Sequence, residues 1–256
     1  MLICGYKSSR ANLAVPDPAR QVLLHRKILP NRKVHSQNEK SNRFAASLLP
    51  ASLLADELTV RVQLADGTGP VAGAVVYMND GSKPSPVRSA VSQKDRMFHP
   101  HVLILPAGSS VDFPNQDNTQ HHVYSFSPAK TFNLELYANQ PEAPVVFDQP
   151  GIVELGCNIH DHMQAFIVVV NTRAIGQTNE QGEVTIALDF GDAQVPGSLN
   201  LNIWHPRLPD NTKPVIREIT AASLTNGGIE TVSIELTPEP TLEGPMNNLQ
   251  KRFQNL

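Results

Sequence analysis

No stretch of this chain sustains a helical repeat, and its 256 residues are punctuated throughout by 21 prolines and 15 glycines. A chain broken this often turns frequently, and its apolar residues fall into short runs suited to strands. Leu58, Val60, Val62 and Leu64 alternate with polar neighbours, and Asp66-Gly67-Thr68-Gly69-Pro70 then turns the chain into the apolar run Val71–Met78. Further on, Ala165-Phe166-Ile167-Val168-Val169-Val170 is apolar at every position, as a central strand covered on both faces must be. The predicted class is all-β.

Composition narrows the function classes. A formal charge of −3 and an isoelectric point near 6.3 leave no basic surplus for phosphate contacts, which argues against a nucleic-acid partner. No apolar run approaches the roughly 18 residues of a membrane-spanning helix, so no stable membrane insertion is expected. No Gly-x-Ser-x-Gly elbow or His-Glu-x-x-His helix supports hydrolysis.

The N-terminal region reads as a leader. Lys40 and Arg43 precede the largely apolar stretch Phe44–Ala55, the order of a secretory signal, and a cut before Asp56 would release a mature chain exported to the periplasm. Such a cut discards Cys4 and leaves Cys157 as the single thiol in an oxidising compartment. The remaining sequence divides at about 90 and 170. Residues 56–90 are strands followed by a Gly-, Pro- and Ser-rich linker from 79, and residues 91–170 form a β-rich block. Residues 171–237 are again strands, and the tail, 238–256, lacks an apolar pattern and reads as flexible.

The middle block carries the chemistry. Cys157, His160 and Met163 follow one another with Cys-x2-His-x2-Met spacing, between the strand-like Gly151–Leu155 and Ala165–Val170. A thiolate, two imidazoles and a weak thioether can hold copper in both oxidation states with little rearrangement, which is what one-electron transfer requires. One short loop supplies three of these donors, and the pair His121-His122 offers the fourth. Alternation along a strand lets only one of that pair, His121 or His122, reach the metal.

These motifs resemble cupredoxins. The loop Cys157–Met163 has the ligand spacing of amicyanin, and His121-His122-Val123 is similar to the His-Asn-Val segment of plastocyanin and its relatives. The approach Leu105–Asn115 is similar to the strand and turn before that His. His-His-Val-Tyr-Ser-Phe-Ser and Gly-Cys-Asn-Ile-His-Asp also look like segments of periplasmic plastocyanin-like proteins labelled methylamine utilisation proteins. The resemblance covers about residues 91–170 and implies a Greek-key β-sandwich with one type 1 copper. His121 would be its first imidazole, Cys157 the thiolate, His160 the second imidazole and Met163 the axial ligand, and the partner a redox protein. Two positions depart from the pattern. His122 replaces the usual Asn, and His162 stands where an aromatic residue is more common.

Two other functions compete. A multicopper oxidase or copper nitrite reductase would also use a Cys-His-Met centre, but Gly156 and Asn158 flank Cys157 where an oxidase carries His. A copper-trafficking or structural metal-binding protein would share the donors without the redox role. The flanking blocks, 58–78 and 171–236, look like two halves of a carboxypeptidase-regulatory-like β-sandwich into which the copper block is inserted. That arrangement requires strand 58–64 to lie near strand 199–204, with Trp204 in their core and His205 at the surface.

Overall fold

The computed structural model describes residues 57–160, 162–191, 195–224 and 229–239. Cys4, the leader and nearly all of the tail lie outside them. The strands in chain order are β1 (Glu57–Leu64), β2 (Val75–Met78), β3 (Arg88–Ala90), β4 (Ser92–Lys94), β5 (Met97–His99), β6 (Val102–Pro106), β7 (Ser109–Asp112), β8 (His121–Ser127) and β9 (Lys130–Tyr137). They continue with β10 (Val145–Phe147), β11 (Gly151–Gly156), β12 (Gln164–Val170), β13 (Ile175–Gln177), β14 (Glu183–Ala187), β15 (Ser198–Trp204), β16 (Val215–Thr220) and β17 (Ile229–Ile234). A short 3-10 turn, Ala221–Leu224, is the only helical segment among the described residues, and no described helix is long and apolar enough to cross a membrane. The chain is all-β, as expected.

Two groups of sheets share the molecule. β1 lies between β14 and β17, and a second sheet runs β13-β2-β15-β16. The other group contains the sheet β6-β12-β11-β8-β9, the smaller sheet β10-β7-β3 and the hairpin β4-β5. The chain therefore leaves one sheet after β2, builds every strand from β3 to β12, and returns to pair β13 antiparallel with β2. Leu58, Val60 and Val62 of β1 pack in one core with Leu199, Leu201, Ile203 and Trp204 of β15, so segments before β3 and after β12 share a core. β3 pairs in parallel with β7, so strand structure begins inside the stretch whose composition reads as a linker.

The five-stranded sheet touches both cores, and β12 shows why its sequence is apolar throughout. Ala165, Ile167 and Val169 enter the core that also holds Cys157 and Met163, while Phe166, Val168 and Val170 point the other way, into the core around Trp204. Alternation sends successive side chains to opposite faces, and here both faces are covered. Burial of each such side chain is worth about 1.5–3 kcal/mol. Phe166 meets Trp204 edge-on with ring centroids 5.2 Å apart, and the indole N–H donates to the Asn211 carbonyl at 2.7 Å, leaving no orphan donor in the core.

One buried carboxylate joins the points where the chain departs and returns. Asp80, just after β2, accepts hydrogen bonds from the Ser82 amide and hydroxyl, from the Thr172 hydroxyl just after β12, and from the Asp189 amide just after β14.

Candidate metal centre

Adjacent strands set the site. β11 ends at Gly156, paired with Gln164 at the start of β12, so residues 157–163 form the connection between two neighbouring antiparallel strands. Gly156 also pairs with Tyr124 of β8. His121 lies three residues before Tyr124, which carries it past the end of β11 and level with the loop. Next to His121 the β8–β9 register shifts: His121 faces Tyr137, while Val123 faces Leu134. This bulge reorients the strand at the position that carries the ring.

Three donor side chains converge. One ligand atom each from His121, Cys157 and His160 lies within 4.8 Å of the others, and the two imidazole rings have centroids 5.0 Å apart. His121 is fully buried and Cys157 is 4% exposed; the thiol is free. Met163 is buried in the same core as Cys157, and its amide donates to the His160 carbonyl at 2.9 Å, tightening the loop. His122 takes the other face of β8, where its ring lies tilted against that of Tyr124 with centroids 5.5 Å apart. His162 is exposed, with its ring 6.0 Å from that of His160. Asp161 lies outside the described residues.

Unsatisfied polar atoms identify what the cluster lacks. Nδ1 of His121 and Nδ1 of His160 are both buried without a hydrogen-bond partner. An orphaned imidazole nitrogen is costly in a core. Two of them beside a lone thiol form a set that a thiophilic metal ion satisfies, so the residues present fit such an ion. Nδ1 of His122 is also unpartnered, but that ring stands outside the cluster. Burial lowers the pKa of His160, and the neighbouring His121, Arg96 and His162 push it the same way against Asp117. The ring is therefore biased toward the neutral form that can donate a lone pair.

Residues that the motif does not name support the ligands. His121 Nε2 bonds Asp117 Oδ2 at 2.8 Å. Burial alone would raise the Asp117 pKa, but hydrogen bonds from the Arg96 amide, the His121 ring and the Asp95 amide together hold it below the usual carboxylate value. Asn115 fixes the segment before His121: its amide donates to the carbonyls of Thr119 at 2.7 Å and Tyr137 at 3.1 Å, and its oxygen accepts from the Asp117 amide. Burial raises the Tyr137 phenol to about 12; its O–H donates to the Phe113 carbonyl at 2.8 Å. The Tyr124 ring lies where a side chain on residue 156 would project, with Cζ 2.7 Å from that Cβ position, so any larger residue at 156 would displace the Tyr124 ring. A crevice of about 1230 Å³ opens beside the loop, with Tyr124, Gly156, Cys157 and Met163 in its wall.

Solved structures similar to this chain include cupredoxins and a copper-containing nitrite reductase. A copper-containing nitrite reductase from Thermus scotoductus SA-01 shares 25% identity over 35% of this chain, at a TM-score of 0.31. The match spans only 23% of that reductase. A purple cupredoxin from Nitrosopumilus maritimus matches with 19% identity and a TM-score of 0.29, over 32% of this chain and 99% of its own. Amicyanin from Paracoccus versutus matches at 14% identity and a TM-score of 0.28, over 37% of this chain and 97% of its own. No family model matches the chain, and no curated protein does.

Proposed function

We propose that this protein is a one-electron carrier with a single type 1 copper held by Nδ1 of His121, the Cys157 thiolate and Nδ1 of His160, with Met163 as the weak axial ligand. The observation that carries this reading is the convergence of two imidazole rings, each with a buried and unpartnered Nδ1, on the one free thiol of the described residues. Copper bound there would supply a reversible one-electron couple. The chain's own part is to keep that set fixed and dry. β11 and β12 anchor both ends of the loop, the bulge in β8–β9 aims His121, and the core around Val153, Leu155 and Ile167 excludes water. A site already shaped in the folded chain changes little between oxidation states, which favours electron transfer over substrate chemistry. An unidentified redox protein is the partner in this reading, and the signal-like stretch at 40–55 supports a periplasmic location.

Copper reconstitution tests the proposal. The oxidised protein should bind one copper per chain and show an intense blue thiolate-to-copper band, absent in Cys157→Ser. Three or four coppers per chain would favour an oxidase. A pale one-copper protein, or a variant that keeps the blue band, would refute the carrier.

A further inference from the structure

Asp117 and the β4–β5 turn are not part of any ligand motif, yet together they determine which nitrogen His121 presents. We infer that Asp117 is a positioning residue for the metal, held by a dedicated backbone clamp, and that it fixes His121 as the tautomer with Nδ1 free. The inference rests on the copper reading above.

Hydrogen-bond direction supports it. An ionised carboxylate only accepts, so in the contact between His121 Nε2 and Asp117 Oδ2 the ring must be the donor. The proton on neutral His121 then sits on Nε2, and Nδ1 keeps its lone pair. That nitrogen is buried and unpartnered, on a ring grouped with Cys157 and His160. A carboxylate behind a ligating imidazole orients the ring and raises its basicity.

The clamp on Asp117 is the second, independent observation. Oδ1 accepts from the Asp95 amide at 2.7 Å and Oδ2 from the Arg96 amide at 2.9 Å. These two residues form the two-residue turn between β4 and β5, where Lys94 pairs with Met97. Both carry positive φ, 55° and 58°, and they are the only non-glycine residues described that do. A turn of this hand usually recruits Asn, Asp or Gly, so Arg96 is the unusual residue in it. Here the conformation points two successive amides at one carboxylate, as an anion-binding backbone nest does. The Asp117 side chain is 13% exposed, although the turn residues that donate to it are exposed.

Asp117→Asn separates this role from mere packing. An amide has one acceptor oxygen; if the turn amides take it, the NH2 group faces Nε2 and drives the ring proton onto Nδ1, the ligating atom. Removing the negative charge also favours Cu(I) over Cu(II). Cu(II) affinity of the variant should fall about tenfold or more, and each tenfold loss specific to Cu(II) raises the potential by about 59 mV. Asp148→Asn, which removes an exposed carboxylate between β10 and β11, should do neither. A folded Asp117→Asn with unchanged affinity and potential would overturn the inference. So would equal shifts in both variants, which would mark a diffuse charge effect. Should Asp117→Asn fail to fold, nitrogen-15 NMR of the metal-free wild type at neutral pH decides: His121 must carry its proton on Nε2, and an Nδ1-protonated ring would sink the idea. This tautomer measurement needs no blue copper, so its failure and that of the carrier reading are distinguishable.

Discussion

His205 follows the tryptophan of β15 and is held neutral by its surroundings. Its Nδ1 accepts the Arg207 amide at 3.1 Å. Burial, then the Arg207 charge and His101, lower its pKa to about 4, against a smaller upward pull from a hydrogen bond with the Ala72 backbone. Protonation would both charge a half-buried ring and remove the acceptor that Arg207 uses. Because the folded value lies below the unfolded value of about 6.5, the unfolded chain binds the proton first. The contribution to stability is therefore complete above pH 6.5 and is lost as pH falls toward 4. After allowing for solvent screening of the partly exposed ring it is on the order of 1 kcal/mol. Urea unfolding at pH 7 and pH 4.5 should show a smaller acid loss in His205→Gln than in wild type, and equal losses would contradict this account.

At the scale of elements, turn geometry decides which residues are irreplaceable. Gly182 closes the turn that begins at Asn179 and leads into β14, with φ at +73°. Its carbonyl accepts the Val62 amide at 2.7 Å, which brings the turn tightly against β1. A Cβ there would press on the Val62 carbonyl oxygen and stand 3.1 Å from the Val71 amide nitrogen. Backbone atoms on both sides leave nothing free to shift, and positive φ adds strain of its own. Gly182→Ala should destabilise by about 2 kcal/mol or more, read as a lowered thermal midpoint; an unchanged midpoint would refute the close approach. The turn around Gly182 was legible as sequence, through Thr-Asn-Glu-Gln-Gly-Glu. The Asp95-Arg96 turn was not, because Arg at the second position replaces the Gly that usually marks a turn of this hand.

At the scale of the whole molecule, the strands from β3 to β12 depend on the two crossings that connect them to the other group of sheets. Asp80 ties both crossings and the chain after β14 to one carboxylate. Burial would raise its pKa, but the hydrogen bonds from Ser82, Asp189 and Thr172 outweigh that and lower it. Its stabilisation is present above the unfolded carboxylate value of about 3.9 and fades as pH falls through the lower folded value. Asp80→Ala leaves several donors unsatisfied and should cost about 2–4 kcal/mol at pH 7. Unfolding followed by Trp204 fluorescence and by the accessibility of the Cys157 thiol should then shift together, since β12 lies in both cores. A variant in which only one probe moves would show that the two groups of sheets unfold independently.

The division between what the sequence determined and what tertiary structure decided follows the range of the interactions. Alternation along β1 and β14, the two-faced apolar run of β12 and the Cys157–Met163 loop are local patterns: each depends on residues a few positions apart, which strand geometry converts directly into faces and ligand sets. Asp80 lay within a stretch of linker-like composition, and Asp117 is one acid in a polar loop. Neither carries a local signal, because the partners that give them meaning lie elsewhere in the chain: Thr172 and Asp189 for Asp80, and the Asp95 and Arg96 amides for Asp117. The loop spacing supplied candidate donors from the sequence alone. Which imidazole nitrogen is free, and what holds it so, depended on strands that meet only in the folded molecule.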